Sequence, residues 1–388
     1  MNRQPRRGTR SSSFLLRAFL LGLALILFLL ETVGLVELDL SSTSPLHEGS
    51  VESPVSGEYR GSAAQVYFTT PLLQGGKAGY REDLDERMAA EIERAQMSVD
   101  IAAYELNLDS ITHALLAAHR RRVRVRLVTD SHSSDEPAVQ RLYQAGVPVV
   151  ENRREALMHH KFVVLDGEVV WTGSWNLTVN DTYRNHNNSI RIVSSMLAEN
   201  YTTEFEEMFI SHTFGPDSLP NTPYPHIVLC DSGAGSEIEL ANYFAPEDQV
   251  ADQIIALLQD ARSSIRFMAF SFTDDQIGQV LVEKARSGLI VQGVFEKRNS
   301  GSEFSEYNRL QRAGLDVLTD ANPYIMHHKV FILDDQIVVT GSYNFTKNAA
   351  LFNDENLLVI RSPAIAAEYQ AEFERIYTQA ATVAQSSG

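Results

Sequence analysis

The chain has 388 residues, of which 44% are hydrophobic and 21% charged, so it is long and apolar enough for two domains of ordinary size. It carries 33 Lys and Arg against 50 Asp and Glu, a formal net charge of -17, which disfavours long-range attraction of a polyanion such as nucleic acid. The single cysteine, Cys230, excludes an intramolecular disulfide and a zinc site built from cysteines.

The amino-terminal segment is predicted to meet a membrane. Residues 18–30 are apolar and uncharged, and five arginines precede them. We interpret residues 1–40 as a signal peptide or a signal anchor with an apolar helix, and we favour an uncleaved anchor because no convincing cleavage site follows. Since the basic flank stays inside, the protein is expected to be extracytoplasmic, anchored by this helix or secreted if it is cleaved. Residues 41–62, rich in Ser, Gly, Glu and Pro, are predicted to form a flexible stalk.

The rest of the chain contains an internal duplication. The tripeptide His-His-Lys at residues 159–161 recurs at 327–329, which is 168 residues later. Upstream, LYQAGVPVV at residues 142–150 matches LQRAGLDVL at 310–318 with the same offset. The duplication predicts a first domain at residues 63–212 and a second domain at residues 237–381. A linker rich in Pro and Gly, residues 213–236, is predicted to join them.

Within each copy, helices are predicted to alternate with strands. Apolar residues at helical spacing are followed by short runs of alternating or β-branched residues, and Gly146 and Gly314 end a helix at matching positions. This alternation predicts an α/β fold of two similar α/β sandwich domains related by a pseudo-twofold axis. The predicted helices are residues 84–95, 110–119, 250–261 and 275–286, and the predicted strands are residues 99–104, 123–128, 265–270 and 290–295.

Each copy also contains the same polar residues at identical spacing. A His and a Lys two positions apart lie on one face of a strand, so two packed copies bring two His and two Lys together. Such a site suits phosphodiester cleavage: one imidazole attacks phosphorus, the other protonates the leaving alcohol, and Lys and Asn side chains hold the phosphoryl oxygens. This chemistry needs no metal and no cofactor. The repeated residues are His159, Lys161, Asp166, Ser174 and Asn176 in copy one, and His327, Lys329, Asp334, Ser342 and Asn344 in copy two.

The segments HHKFVVLDGEVVWTGSWN and HHKVFILDDQIVVTGSYN resemble the paired HKD motifs of the phospholipase D superfamily, whose members include phospholipases, cardiolipin hydrolases and nucleases. The resemblance covers most of the chain beyond the stalk and implies a phosphohistidine intermediate. It implies catalytic roles for both His and both Lys, substrate binding by Asn176, Asn344, Ser174 and Ser342, and a structural role for Asp166 and Asp334.

One position breaks the symmetry of the two copies. The family places a carboxylate after the second motif to orient a catalytic imidazole, and Glu355, 28 residues beyond His327, matches it; the equivalent residue of copy one is Asn187. Because an amide can orient an imidazole without stabilising its charge, the two histidines should differ in pKa. We expect His159 to be the nucleophile and His327, paired with Glu355, to be the acid and base.

The motifs define the reaction more narrowly than the substrate. We favour a phospholipase D that hydrolyses glycerophospholipids at a membrane surface to phosphatidic acid and a head-group alcohol, because the apolar amino terminus indicates a bilayer. The alternatives are an extracytoplasmic endonuclease with the same chemistry, acting on nucleic acid, and a phosphatidyltransferase resembling cardiolipin synthase. A non-catalytic scaffold is disfavoured because both motifs are intact, and no protein partner can be inferred.

Overall fold

The computed structural model describes residues 62–69, 71, 84–231 and 236–387. The predicted signal or anchor segment and the predicted stalk lie outside the described residues, apart from Ser62. Among the residues that are described, no helix is both long enough and apolar enough to cross a bilayer.

The first repeat is built on a mixed sheet. In the described part of the chain this sheet has seven strands in the order β1-β7-β6-β5-β2-β3-β4. Strands β2, β3 and β4 are parallel, and β5, β6, β7 and β1 continue the sheet in antiparallel pairs. The elements are β1 (Ala64–Phe68), α1 (Leu84–Arg94), β2 (Ser98–Ala103), α2 (Asp109–Arg120), β3 (Arg124–Asp130), α3 (Pro137–Gln144), β4 (Val149–Asn152), β5 (Lys161–Leu165), β6 (Val169–Gly173), α4 (Val179–Tyr183), β7 (Asn188–Val193) and α5 (Ser195–Phe209).

The second repeat follows the same plan. Its sheet has eight strands over the described residues, in the order β12-β11-β10-β13-β14-β15-β9-β8. The predicted linker contains a short 3₁₀ helix (Gly215–Asp217) and the edge strand β8. The elements are β8 (Ile227–Asp231), β9 (Ser236–Ala245), α6 (Val250–Asp260), β10 (Ser264–Ala269), α7 (Asp275–Arg286), β11 (Ile290–Phe295), α8 (Lys297–Ser300), α9 (Glu306–Arg312), β12 (Asp316–Thr319), β13 (Lys329–Leu333), β14 (Ile337–Gly341), α10 (Lys347–Leu351), β15 (Glu355–Arg361) and α11 (Pro363–Ser387).

The two repeats share a central hydrophobic core. It combines side chains from both sheets with those of α5 and α11, such as Tyr201 and Tyr369, so these two helices lie between the sheets. Two further cores lie on the outer faces, where α1, α2 and α3 cover the first sheet and α6, α7 and α9 cover the second. Since both faces of each sheet are covered, every residue of β2, β5 and β13 is buried. The described residues therefore form an α/β assembly of two similar halves.

Strands β6 and β14 end at glycines for a steric reason. Gly173 and Gly341 have φ angles of +148° and +144°, and a Cβ atom at either position would overlap the carbonyl oxygen of Asn188 or Asn356. Glycine lets the two chains approach so closely that the N–H groups of the following serines donate to those carbonyls at 3.1 Å. The close approach brings the end of each HKD segment against the strand that follows it.

Candidate active site

The two HKD segments meet at reciprocal contacts between the repeats. Met158 forms a bridge with Asp354, and His186 forms the equivalent bridge with Met326. The N–H of His159 donates to the Asp354 carbonyl at 2.9 Å, and that of His327 donates to the His186 carbonyl at 2.8 Å. The partners in the two contacts differ by the 168-residue offset, as a twofold relationship requires.

Glu355 orients His159. Nδ1 of His159 lies 2.7 Å from Oε2 of Glu355, and both side chains are buried. Ser342 donates its hydroxyl to the same oxygen at 2.8 Å, and Asn353 donates to the other at 3.4 Å. The predicted pairing of Glu355 with His327 was therefore wrong. The physical reason is the bridge between Met158 and Asp354, which places the start of β15 beside the first HKD segment.

His327 is oriented by the first repeat. Its Nδ1 lies 2.9 Å from Oδ1 of Asn187 and 3.1 Å from the Ser174 carbonyl. Both atoms are acceptors, so Nδ1 carries the proton and Nε2 is left for chemistry. A carboxylate that the motif does not include, that of Asp181, lies 3.7 Å from the same nitrogen. Its counterpart in the second repeat is Ala349, and this difference between the copies is a signal that the sequence contains.

The two lysines lie beside the histidines and are buried. Nζ of Lys161 donates to the His159 carbonyl at 2.8 Å, and Nζ of Lys329 donates to the His327 carbonyl at 2.9 Å. Burial lowers the pKa of Lys161 to about 8, although the Glu355 carboxylate opposes the change. Burial and the neighbouring Lys161 ammonium lower the pKa of Lys329 well below its usual value. An anion bound beside these lysines would favour their charged forms.

Burial also sets the protonation of the histidines. Burial, followed by the charge of Lys161, lowers the pKa of His159 well below its usual value. The pKa of His327 is lowered in the same way, by burial and then by Lys329. Burial raises the pKa of Glu355 to about 7, and Lys161 opposes this rise. An unprotonated imidazole with its Nδ1–H on a carboxylate is the form that a nucleophilic histidine needs.

Aromatic rings form the walls around the histidines. The ring of Tyr104 lies 4.9 Å from that of His159, and the ring of Phe270 lies 4.6 Å from that of His327. Lys161 also lies over the Tyr104 ring, at 5.2 Å, and Lys329 over the Phe270 ring, at 4.8 Å. The prediction of site residues did not include these two rings, although both lie in the duplicated strand segments.

The remaining predicted substrate-binding residues divide into two groups. The side-chain oxygens of Asn176 and Asn344 are buried without a hydrogen-bond partner among the described residues. The hydroxyls of Ser174 and Ser342, predicted to bind substrate, instead donate to the residues that orient the histidines. Ser174 donates to Asn187 at 2.9 Å, and Ser342 donates to Glu355.

Asp166 and Asp334 lie away from the imidazoles, at the turns after β5 and β13. Asp166 accepts hydrogen bonds from the N–H groups of residues 96–98 at distances from 2.7 to 2.9 Å. Asp334 does the same for residues 262–264, at 2.7 to 3.0 Å. Each carboxylate ties the turn to the start of the neighbouring strand, which is the structural role that the resemblance implies.

The second histidine of each pair points away from the site. His160 contacts Glu204 of α5 at 2.9 Å, and His328 contacts Glu372 of α11 at 3.2 Å. All four side chains are buried in the central layer between the sheets. This arrangement agrees with the alternation of side chains along a strand.

Both copies match one family of known proteins. A family model described as "Cardiolipin synthase, PLD-like domain" matches residues 88–209 and 254–377, which together are more than half of the chain. A phospholipase D from Rickettsia bellii is 32% identical over 151 residues, which cover 39% of this chain and 75% of the relative. A mitochondrial cardiolipin hydrolase from Xenopus laevis is 37% identical over 125 residues, which cover 32% of this chain and 60% of the relative.

A solved structure extends the likeness over both repeats. The phosphatidylserine synthase of Haemophilus influenzae superimposes with a TM-score of 0.59, covering 81% of this chain and 86% of its own. The two sequences are 14% identical, so the likeness shows the shared fold alone.

Proposed function

Because this chain belongs to the phospholipase D superfamily and is a phosphodiesterase of that type, we propose that it hydrolyses glycerophospholipids to phosphatidic acid and a head-group alcohol. The observation that carries the proposal is the facing pair of His-x-Lys segments, in which each imidazole is oriented through Nδ1 and is flanked by a buried lysine.

In the proposed reaction, Nε2 of His159 attacks phosphorus while the imidazolium form of His327, protonated on both nitrogens, gives its Nε2 proton to the leaving alcohol oxygen. A phosphohistidine forms, and the P–O bond to the head group breaks. His327 then takes a proton from water, whose oxygen attacks phosphorus and releases His159. The two lysines and the amides of Asn176 and Asn344 hold the phosphoryl oxygens throughout, where their charge and dipoles stabilise the transition state.

A lipid substrate is supported by exposed apolar side chains that lie close in sequence to the site residues. Tyr324 and Phe352 lie three residues before His327 and Glu355, and their side chains are 38% and 46% exposed. Leu351, beside Phe352, is 45% exposed. Apolar side chains exposed in this position suit contact with acyl chains. The names of the relatives from Rickettsia and Xenopus point to lipids as well, and the net charge of -17 disfavours a polyanionic substrate.

We also propose that the enzyme acts outside the cytoplasm, held at the membrane by its amino-terminal apolar segment. The five arginines before residues 18–30 support this orientation. A lipid substrate and a membrane-bound enzyme are consistent with each other, because the enzyme then remains at the surface where its substrate lies.

The test is product analysis with the full chain, incubated with mixed phospholipid vesicles and a short primary alcohol. We expect phosphatidic acid and the phosphatidyl-alcohol by mass spectrometry, and neither product from His159→Asn or His327→Asn. His226→Asn, at an exposed position, is the matched control. Intact lipid together with cleavage of single-stranded DNA or RNA would replace this proposal by the nuclease alternative.

The same variants test the assignment of the nucleophile. With a p-nitrophenyl diester, whose leaving group needs little help from an acid, His327→Asn keeps the attacking imidazole but lacks the group that activates water, so the covalent phosphohistidine should accumulate with the label on His159. A label on residue 327 in the wild-type protein would contradict the assignment.

A further inference from the structure

We propose that Asp181 supplies to His327 the negative charge that Asn187 cannot, and so acts as a positioning residue that favours the protonated imidazole. This inference rests on the proposed function, in which His327 is the acid. It concerns a residue outside the HKD motifs, at a position where the second repeat has no carboxylate.

The geometry places the Asp181 carboxylate against the imidazole. Oδ2 of Asp181 lies 3.7 Å from Nδ1 of His327, and the aspartate side chain is 5% exposed. The same oxygen accepts a hydrogen bond from the N–H of Asn176 at 3.0 Å, and Asn185 donates its side-chain amide to the other oxygen. Asn187 donates to the Asp181 carbonyl at 3.2 Å, which turns its own oxygen towards His327.

Comparison of the repeats shows that the carboxylate has changed position. In the second repeat Glu355 contacts His159 directly, and Ala349 stands where the first repeat has Asp181. In the first repeat the residue equivalent to Glu355 is Asn187, and the carboxylate lies six positions earlier. Each repeat therefore contributes one carboxylate to the imidazole of the other repeat, from different positions.

An asparagine at the same repeat position contacts the carboxylate in both repeats, four residues after Asp181 in the first and two residues before Glu355 in the second. Asn353 donates to Glu355 at 3.4 Å, and its equivalent, Asn185, donates to Asp181. Asn185 and Asn353, which occupy equivalent positions, therefore each donate to the carboxylate of their own repeat.

The fold itself does not require a carboxylate at this position. Helix α4 is capped by Thr178, whose hydroxyl accepts from the Asp181 N–H at 3.2 Å, and α10 is capped by Thr346, whose hydroxyl accepts from the Ala349 N–H at 3.2 Å. The two helices are thus equivalent in length and capping although one has alanine at this position. Capping of α4 therefore does not use the aspartate carboxylate, which contacts the Asn176 N–H, the Asn185 amide and the His327 imidazole.

The negative charge of Asp181 opposes the effects that lower the pKa of His327. Burial lowers the pKa of His327, the neighbouring Lys329, Lys161 and His159 lower it further, and the hydrogen bond to the Ser174 carbonyl opposes the change. Asp181 is the carboxylate within 4 Å of its imidazole among the described residues, and it also acts on both lysines and on Glu105. A neighbouring negative charge at this distance favours the charged imidazole by about one pKa unit or more.

The experiment compares Asp181→Asn with the double variant Asp181→Ala, Asn187→Glu, in which the first repeat takes the arrangement of the second. Histidines of the full-length protein are labelled with ¹⁵N, and the resonance of His327 is assigned by its loss in His327→Asn. We expect the pKa of His327 to fall by about one unit in Asp181→Asn and to return in the double variant. The control is Asp109→Asn, whose exposed carboxylate pairs with Arg141.

Kinetics provide a second readout. A general acid matters most for a poor leaving group, so kcat of Asp181→Asn should fall by roughly 10- to 100-fold with an alkyl phosphodiester and much less with a p-nitrophenyl diester. The alkaline limb of its pH profile should move to lower pH. An unchanged His327 pKa in Asp181→Asn, or an equal fall in Asp109→Asn, would overturn the proposal. If wild-type protein cleaves no phosphodiester, the proposed function fails, while the titration still decides the role of Asp181.

Discussion

Glu355→Gln separates the charge beside His159 from the hydrogen bond that orients it. Glutamine has the length of glutamate and keeps an oxygen that can accept from Nδ1, but it never carries a charge. Because burial raises the pKa of Glu355 to about 7, the wild-type side chain is largely a neutral acid near pH 5.5 and a carboxylate near pH 8.5. The effect of the substitution should therefore grow with pH.

The size of the effect follows from the contact. A hydrogen bond to a charged group contributes about 1.5–3 kcal/mol, so kcat/KM of the variant should be roughly 10- to 150-fold below wild type near pH 8.5. Near pH 5.5, where one neutral acceptor replaces another, the loss should be roughly 5-fold or less. A second effect adds to the first: burial lowers the pKa of Lys161 to about 8 against the opposing charge of Glu355. Without that carboxylate Lys161 loses its proton at lower pH, so the alkaline limb of the kcat/KM profile should move to lower pH.

The assay measures kcat/KM for hydrolysis of an alkyl phosphodiester across this pH range. Glu374→Gln is the matched control, because the Glu374 carboxylate is exposed and its partner is Gln370, on the same helix face. A ratio of wild-type to variant rates that stays constant with pH would refute the reasoning, since it would show that the charge of Glu355 is not used.

Two further predictions concern stability. Burial raises the pKa of Glu247 to about 10, and the nearby Glu204 carboxyl adds to the rise, so the native state keeps a proton that the unfolded chain releases above its ordinary pKa. Stability should fall as pH rises between those values, by up to about 1.4 kcal/mol per pH unit, and urea unfolding of Glu247→Gln should lack this fall; an identical slope in both proteins would contradict it. Gly341→Ala should lower the free energy of unfolding by about 2–4 kcal/mol, because the new Cβ meets the Asn356 carbonyl at a positive φ. Gly301→Ala, with open space around the new atom, should change it by less than about 0.5 kcal/mol, and equal effects would show that the contact is not limiting.

The sequence predicts the elements that repeat. The helix expected at residues 84–95 is α1 (Leu84–Arg94), and the strand expected at 265–270 is β10 (Ser264–Ala269). Each of these segments has a clear period and a counterpart in the other copy, α6 for α1 and β2 for β10, so the two copies support the same assignment. Helices α5 and α11 were not predicted. In α5, Leu197, Tyr201 and Phe205 do recur at helical spacing, so a signal was present for this helix.

The pairing of Glu355 could not be obtained from spacing along the chain. Glu355 is 28 residues from His327 and 196 from His159, yet it contacts the more distant histidine. Which imidazole it meets depends on how β15 lies against the other repeat, and that is a property of the packing between sheets. Local patterns report on faces and turns within one repeat, whereas the site is built from contacts between repeats.

Duplication within one chain has a consequence for the proposed chemistry. If two identical copies met about a true twofold axis, both histidines would have the same partner and the same pKa. Here the copies have diverged: His159 contacts a carboxylate directly, while His327 contacts an amide and has its carboxylate at 3.7 Å. A nucleophile and an acid need different protonation states at the moment of attack. Since each imidazole takes its partner from the other repeat, neither repeat alone contains a complete oriented histidine. A substitution in one repeat therefore changes the partner of the imidazole in the other repeat.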